Sequence, residues 1–211
     1  MINIIFDFEG VFWDSMEATV RVYMAQKELT DYEQTLHDLR EDRWSYATYV
    51  KNRHYTLEQS TEILANKALE LDQKVQHGTT YFINFAETVK LLQLKLGPNL
   101  RMALLSTALP VSLTEFAAKF NLHFTHCTGF HTKFSKEEEV EKIARDWNIP
   151  LNELYFVTDT LRDIRELKPV MDPSKLLGCA WGWHGTEYLK RELPESQILI
   201  HPEDIKKFIK V

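Results

Sequence analysis

The chain has 211 residues, enough for one well-buried core or one core with a small insert. A formal net charge of -6, with 44% hydrophobic and 27% charged residues, fits a soluble globular protein and argues against nucleic-acid or anionic-membrane binding. Two cysteines, Cys127 and Cys179, make no disulfide framework, the N-terminus lacks the marks of a signal peptide, and no apolar run reaches the length of a membrane span, so a cytoplasmic location is expected.

Residues 2–8 form a continuous apolar run, as in a strand buried on both faces of a parallel sheet, and the run breaks at Glu9-Gly10. From about residue 14 to 97 the spacing of apolar residues is helical. Helices are predicted at 16–29, 32–39, 44–51, 57–75 and 85–96, the last stopped by Gly97-Pro98. The remainder alternates. Strands are predicted at 102–106, 123–128, 154–158, 176–180 and 198–200, and helices at 113–120, 136–147, 162–167, 187–192 and 203–209. Ser135 opens the helix at 136, with glutamates in its first turn.

This order predicts an α/β fold: a Rossmann-like parallel sheet with helices on both faces, plus an inserted all-helical cap. The expected core is 1–13 with 98–211, and the expected cap is 14–97.

Ligands of open parallel sheets bind outside the carboxyl ends of the strands. The polar residues expected there are Asp7 and Glu9, Ser106 and Thr107, Thr158, Asp159 and Thr160 with Asp163 following, and Lys133 and Lys136 before or at the start of a helix. Several carboxylates at one point require a cation, and oxygen-only ligands favour Mg2+ over zinc. A lysine and a hydroxyl beside that metal make a seat for a phosphate group.

The string Ile4-Ile5-Phe6-Asp7-Phe8-Glu9-Gly10-Val11 with Asp14-Ser15 resembles the first motif of the haloacid dehalogenase-like hydrolase superfamily. Leu104-Leu105-Ser106 resembles its second motif, Lys133 its third, and Phe156-Val157-Thr158-Asp159-Thr160 with Asp163-Ile164 its fourth. The tail Gly178-Cys179-Ala180-Trp181-Gly182-Trp183-His184 is similar to a segment of the phosphoglycolate phosphatase branch, which also carries a mobile helical cap between the first and second motifs.

The resemblance implies a Mg2+-dependent phosphatase acting on a small phosphorylated metabolite as a monomer or homodimer. It makes Asp7 the nucleophile that forms an aspartyl-phosphate and Glu9 the general acid and base. Ser106, Thr107 and Lys133 would hold the phosphoryl oxygens. Asp7, the Glu9 carbonyl and Asp159 would ligate the metal, with Asp163 on a metal-bound water or in support. Two residues depart from the pattern: Glu9 replaces the usual aspartate, and Thr158 replaces the usual glycine. A phosphotransferase or mutase of the same branch, or a non-catalytic phosphate- or partner-binding protein, would share these motifs.

Simpler readings compete at several positions. Spacing favours Lys133 over Lys136, which is otherwise read as solvated at the start of its helix. His123, His126, Cys127 and His131 are close in sequence, but their spacing fits no zinc framework and packing on or beside a buried strand is expected instead. Trp181 and Trp183 are read as packing residues.

Overall fold

The computed structural model describes residues 1–41, 80–129 and 135–209. The predicted helices at 44–51 and 57–75, and with them His131 and Lys133, lie outside the described residues. The chain divides into two compact units, one of Met1–Asp14 with Thr80–Val211 and one of Ser15–Thr79.

In the first unit, six parallel strands form one sheet: β1 (Ile2–Phe6), β2 (Leu100–Leu105), β3 (His126–Thr128), β4 (Leu154–Thr158), β5 (Leu176–Cys179) and β6 (Ile198–Leu199), in the order β3-β2-β1-β4-β5-β6. β1 is central. Its Ile5 faces Ala103 of β2 and Phe156 of β4, and its Phe6 faces Leu104 and Val157. The chain runs outward from β1 through β2 to β3, then returns to β4 and runs outward the other way. That reversal beside β1 is the place where an open α/β sheet leaves a crevice at its carboxyl edge.

Because side chains alternate along a strand, the two faces of β1 enter different cores. Ile5, Ala103, Leu105 and Phe156 pack with Val140, Ile143 and Trp147 of the helix Lys136–Trp147, and with Leu161 and Ile164 of the helix Leu161–Leu167. The other face is aromatic. The Phe6 ring lies 5.3 Å from Phe12, which is 5.0 Å from Phe85 and 4.9 Å from Phe116. Phe85 belongs to the helix Ile83–Leu96 and Phe116 to the helix Pro110–Phe120.

Thus the helix at 83–96 is part of the sheet domain, and the boundary falls at residue 80 rather than 98. Its buried residues Phe85, Ala86, Val89 and Leu92 explain the difference. Helical periodicity shows that a face is buried but not which core buries it. The closing segment also differs: Pro202–Lys207 is a 3₁₀ helix opened by a capping box between His201 and Asp204. β3 is shorter than expected and is an edge strand with Cys127 exposed, so the histidine-cysteine stretch is not on a buried strand. His126 instead pairs with Asp146 at 3.1 Å.

The second unit is described through residue 41. The helices Met16–Lys27 and Tyr32–Arg40 are joined by a turn in which Glu28 takes a left-handed φ of 54° and Asp31 caps the second helix by accepting from the Gln34 N–H at 3.0 Å. Arg40 reaches back to the Met16 sulfur at 3.5 Å. Among the described residues, no helix is long and apolar enough to cross a membrane.

Candidate active site

β1 ends at Phe6, so Asp7 is the first residue beyond the central strand, and its N–H is still bonded to the Val157 carbonyl of β4 at 2.8 Å. The chain then turns sharply. Phe8 O accepts from the N–H groups of Phe12 and Trp13, and Gly10 donates to Trp13 O at 2.7 Å with a φ of +74°. Ser106 lies beyond β2, and Asp159 lies beyond β4. The register of the three central strands therefore sets these three residues at one edge of the sheet.

Four buried groups form an ionic chain there. Asp7 accepts the Phe8 N–H on Oδ1 at 2.7 Å and the Lys136 ammonium on Oδ2 at 2.7 Å. Lys136 also donates to Asp163 Oδ2 at 2.5 Å, and that same oxygen accepts the Thr158 hydroxyl at 2.7 Å. The Thr158 hydroxyl oxygen accepts from Thr160 N, and Thr160 caps the helix Leu161–Leu167 by accepting from Asp163 N.

The lysine in this position is thus Lys136, only 7% exposed. The reading of Lys136 as solvated is overturned. It is the first residue after the N-cap Ser135, and the helix that begins there packs its apolar face on the sheet, carrying Lys136 in with it. A clue lies in the sequence. A lysine in the first turn opposes the helix dipole, while Glu137, Glu138 and Glu139 suit it.

Asp159 is held differently. Its Oδ2 accepts the Trp183 N–H at 2.6 Å, while Oδ1 is buried and has no hydrogen-bond partner among the described residues. Gly10 and Gly182 press against this carboxylate. A Cβ on Gly10 would lie 1.7 Å from Oδ2, and one on Gly182 would lie 2.6 Å from it. Gly10→Ala therefore combines a left-handed backbone, worth about 1–2 kcal/mol, with displacement of Asp159. Chemical denaturation of the variant is expected to show a loss of at least about 2 kcal/mol.

The electrostatics follow from burial. Desolvation, helped by Asp163 and Asp159, pushes Asp7 well above the usual carboxylate range against the pull of Lys136. At Asp163 the Lys136 ammonium and hydrogen bonds outweigh burial and hold the carboxyl low. Burial of Lys136 is likewise outweighed by Asp163 and Asp7, and its ammonium form is favoured. Asp159 is raised by burial to about 7, despite the Trp183 N–H.

Asp159 therefore binds its proton more tightly folded than unfolded. Its contribution is neutral below the unfolded value of 3.8 and becomes a penalty as pH rises toward about 7. The full penalty approaches roughly 4 kcal/mol. In metal-free protein, Asp159→Asn is expected to flatten the fall in stability between pH 4 and 7 and to unfold later than the unaltered chain at pH 8.

Three buried carboxyl groups share one ammonium, which contacts Asp7 and Asp163 and leaves Asp159 without a cation. An unpartnered buried carboxylate oxygen is what a hard cation satisfies. Among the described residues, no three His, Cys, Asp or Glu side chains are grouped to hold a metal by themselves. Asp7 and Asp159, completed by backbone and water oxygens, are the donors that a hard cation here would use.

The hydroxyls divide. Ser106 is fully buried, and its Oγ accepts the Ala108 N–H at 3.3 Å. Thr107 gives its hydroxyl to Glu9 Oε2 at 3.1 Å. Sequence reasoning missed Thr158 as a support for Asp163, and missed the roles of Gly10, Gly182 and the Trp183 N–H around Asp159.

Solved structures share this fold. A haloacid dehalogenase-like family hydrolase from Streptococcus pneumoniae superposes with a TM-score of 0.73 at 13% identity, over 100% of this chain and 99% of that one. The chain has the haloacid dehalogenase-like fold. A predicted phosphatase from Clostridium acetobutylicum matches this chain with a TM-score of 0.74 at 16% identity, over 100% and 99% of the two chains. A predicted phosphoglycolate phosphatase from Haemophilus somnus matches at 0.68 and 12%, over 99% and 97%. No family model matches the sequence, and no curated protein is significantly similar to it.

Proposed function

We propose that this chain is a Mg2+-dependent phosphoric monoester hydrolase that acts on a small phosphorylated metabolite through an aspartyl-phosphate on Asp7. The observation that carries this reading is the Asp7 carboxylate at the end of the central strand, held 2.7 Å from an ammonium that is itself anchored on Asp163. The neighbours described as phosphatases support it, as does the buried Asp159 Oδ1 that has no hydrogen-bond partner among the described residues.

Asp7, Asp159 and the Glu9 carbonyl, with water, would hold Mg2+, and the ion would supply Lewis-acid neutralisation of phosphoryl charge. Lys136 and the hydroxyl of Ser106 would receive phosphoryl oxygens. Asp163, tied to Lys136 and Thr158, holds that lysine in place.

In the first step an Asp7 oxygen bonds phosphorus while the bond from phosphorus to the leaving oxygen breaks. Glu9 gives its proton to that oxygen. In the second step Glu9 takes a proton from water, the water oxygen bonds phosphorus, and the Asp7–phosphorus bond breaks. Asp7 is restored and inorganic phosphate leaves.

The test is phosphate release from a generic aryl phosphate and a panel of phosphorylated metabolites, with Mg2+ or with chelator. Release with Mg2+ and none with chelator is expected. Silence with every substrate contradicts the proposal, and transfer to a sugar instead of water makes the protein a phosphotransferase.

A further inference from the structure

We propose that Thr107 is the positioning residue for the acid-base carboxylate of Glu9, an inference that rests on the phosphatase reading above. Glutamate carries one more rotatable bond than aspartate, so Glu9 needs something to fix its end. Its backbone is already fixed. Glu9 bridges to Trp13, and Gly10 donates to Trp13 O at 2.7 Å. What remains free is the side chain.

Thr107 takes up that freedom. It follows Ser106 beyond β2, which is paired with β1, so the segments after the two strands are adjacent. Its hydroxyl donates to Glu9 Oε2 at 3.1 Å. A threonine hydroxyl has one proton to give. While it is given to Glu9 it is not available to a phosphoryl oxygen, so Thr107 serves the acid instead of the phosphate. With Oε2 accepting, the proton delivered to the leaving oxygen rides on Oε1. Thr107 thus holds the end of the longer acid.

A misplaced acid harms poor leaving groups most, because an activated aryl oxide departs with little protonation. The experiment compares kcat and KM for an aryl phosphate and an alkyl phosphate in the unaltered chain, Thr107→Val, Thr107→Ser and Glu9→Gln. Thr107→Val is expected to lose about tenfold more in kcat on the alkyl than on the aryl substrate, with KM little changed. Serine restores the alkyl rate. In the Glu9→Gln background, Thr107→Val adds no more than about twofold.

A second arm needs no turnover. Carbon NMR of the Glu9 side chain is expected to show an ordered carboxylate in the unaltered chain and rotamer averaging in Thr107→Val. Equal losses on both substrates, or equal averaging in both proteins, overturns the proposal. If the unaltered chain hydrolyses neither substrate, the phosphatase reading fails, and the NMR arm still decides whether Thr107 fixes Glu9.

Discussion

Replacing Lys136 by methionine is expected to cost the fold about 3–5 kcal/mol at neutral pH. The variant keeps most of the side-chain volume and removes the charge. Asp7 and Asp163 would then be buried at 5% and 4% exposure without the cation that both contact. A buried pair broken on one side leaves an uncompensated charge, here on Asp163, and Asp7 loses its donor as well.

The loss depends on pH in a definite direction. Asp163 is held below its ordinary value, so its contribution is present above that value and is lost as pH falls through the folded one. Without Lys136 both carboxyls shift upward and take protons more readily. The gap between the two proteins is therefore widest near pH 8 and narrows toward pH 4. Urea denaturation at several pH values reads it. A gap of less than about 1 kcal/mol at pH 8 would show the ion pairs to be solvent-screened.

Asp7→Asn is expected to keep the fold and to lower kcat by about a thousandfold or more. The amide is the same size, but its single oxygen can accept from the Phe8 N–H or from the Lys136 ammonium and not from both. Stability should fall by about 1–3 kcal/mol, which leaves a folded protein without its nucleophile. Activity measured beside thermal unfolding separates this from simple unfolding. A variant that folds normally and retains more than about a tenth of the rate would remove Asp7 from the chemistry.

Much of the sheet was legible, because strands buried on both faces leave continuous apolar runs, as in Ile4-Ile5-Phe6 and Phe156-Val157. Once those runs alternate with helices, their carboxyl ends follow, and so do Asp7, Ser106 and Asp159. The site lysine was harder. Lys133 and Lys136 are three residues apart, and distance along the chain does not say which one a helix carries inward. The dipole argument does, because a lysine in the first turn of a helix is locally unfavourable and needs a reason, which Asp7 and Asp163 provide.

Other features lay beyond a pattern. The roles of Thr158 and Thr107 show only through their partners, Asp163 on the following helix and Glu9 beyond β1. Gly182 sits in a glycine- and tryptophan-containing tail with no local reason to be glycine. The reason is the Asp159 carboxylate packed against it from another strand.

The central claim is that the Asp7 carboxylate itself takes the phosphoryl group. Acid quenching during turnover with Mg2+, followed by mass analysis of the peptide that contains Asp7, tests this directly. A phosphoryl group on Asp7 that forms with Mg2+ and vanishes with chelator is the expected result. Steady turnover with Asp7 unmodified, or with the group on another residue, would contradict it.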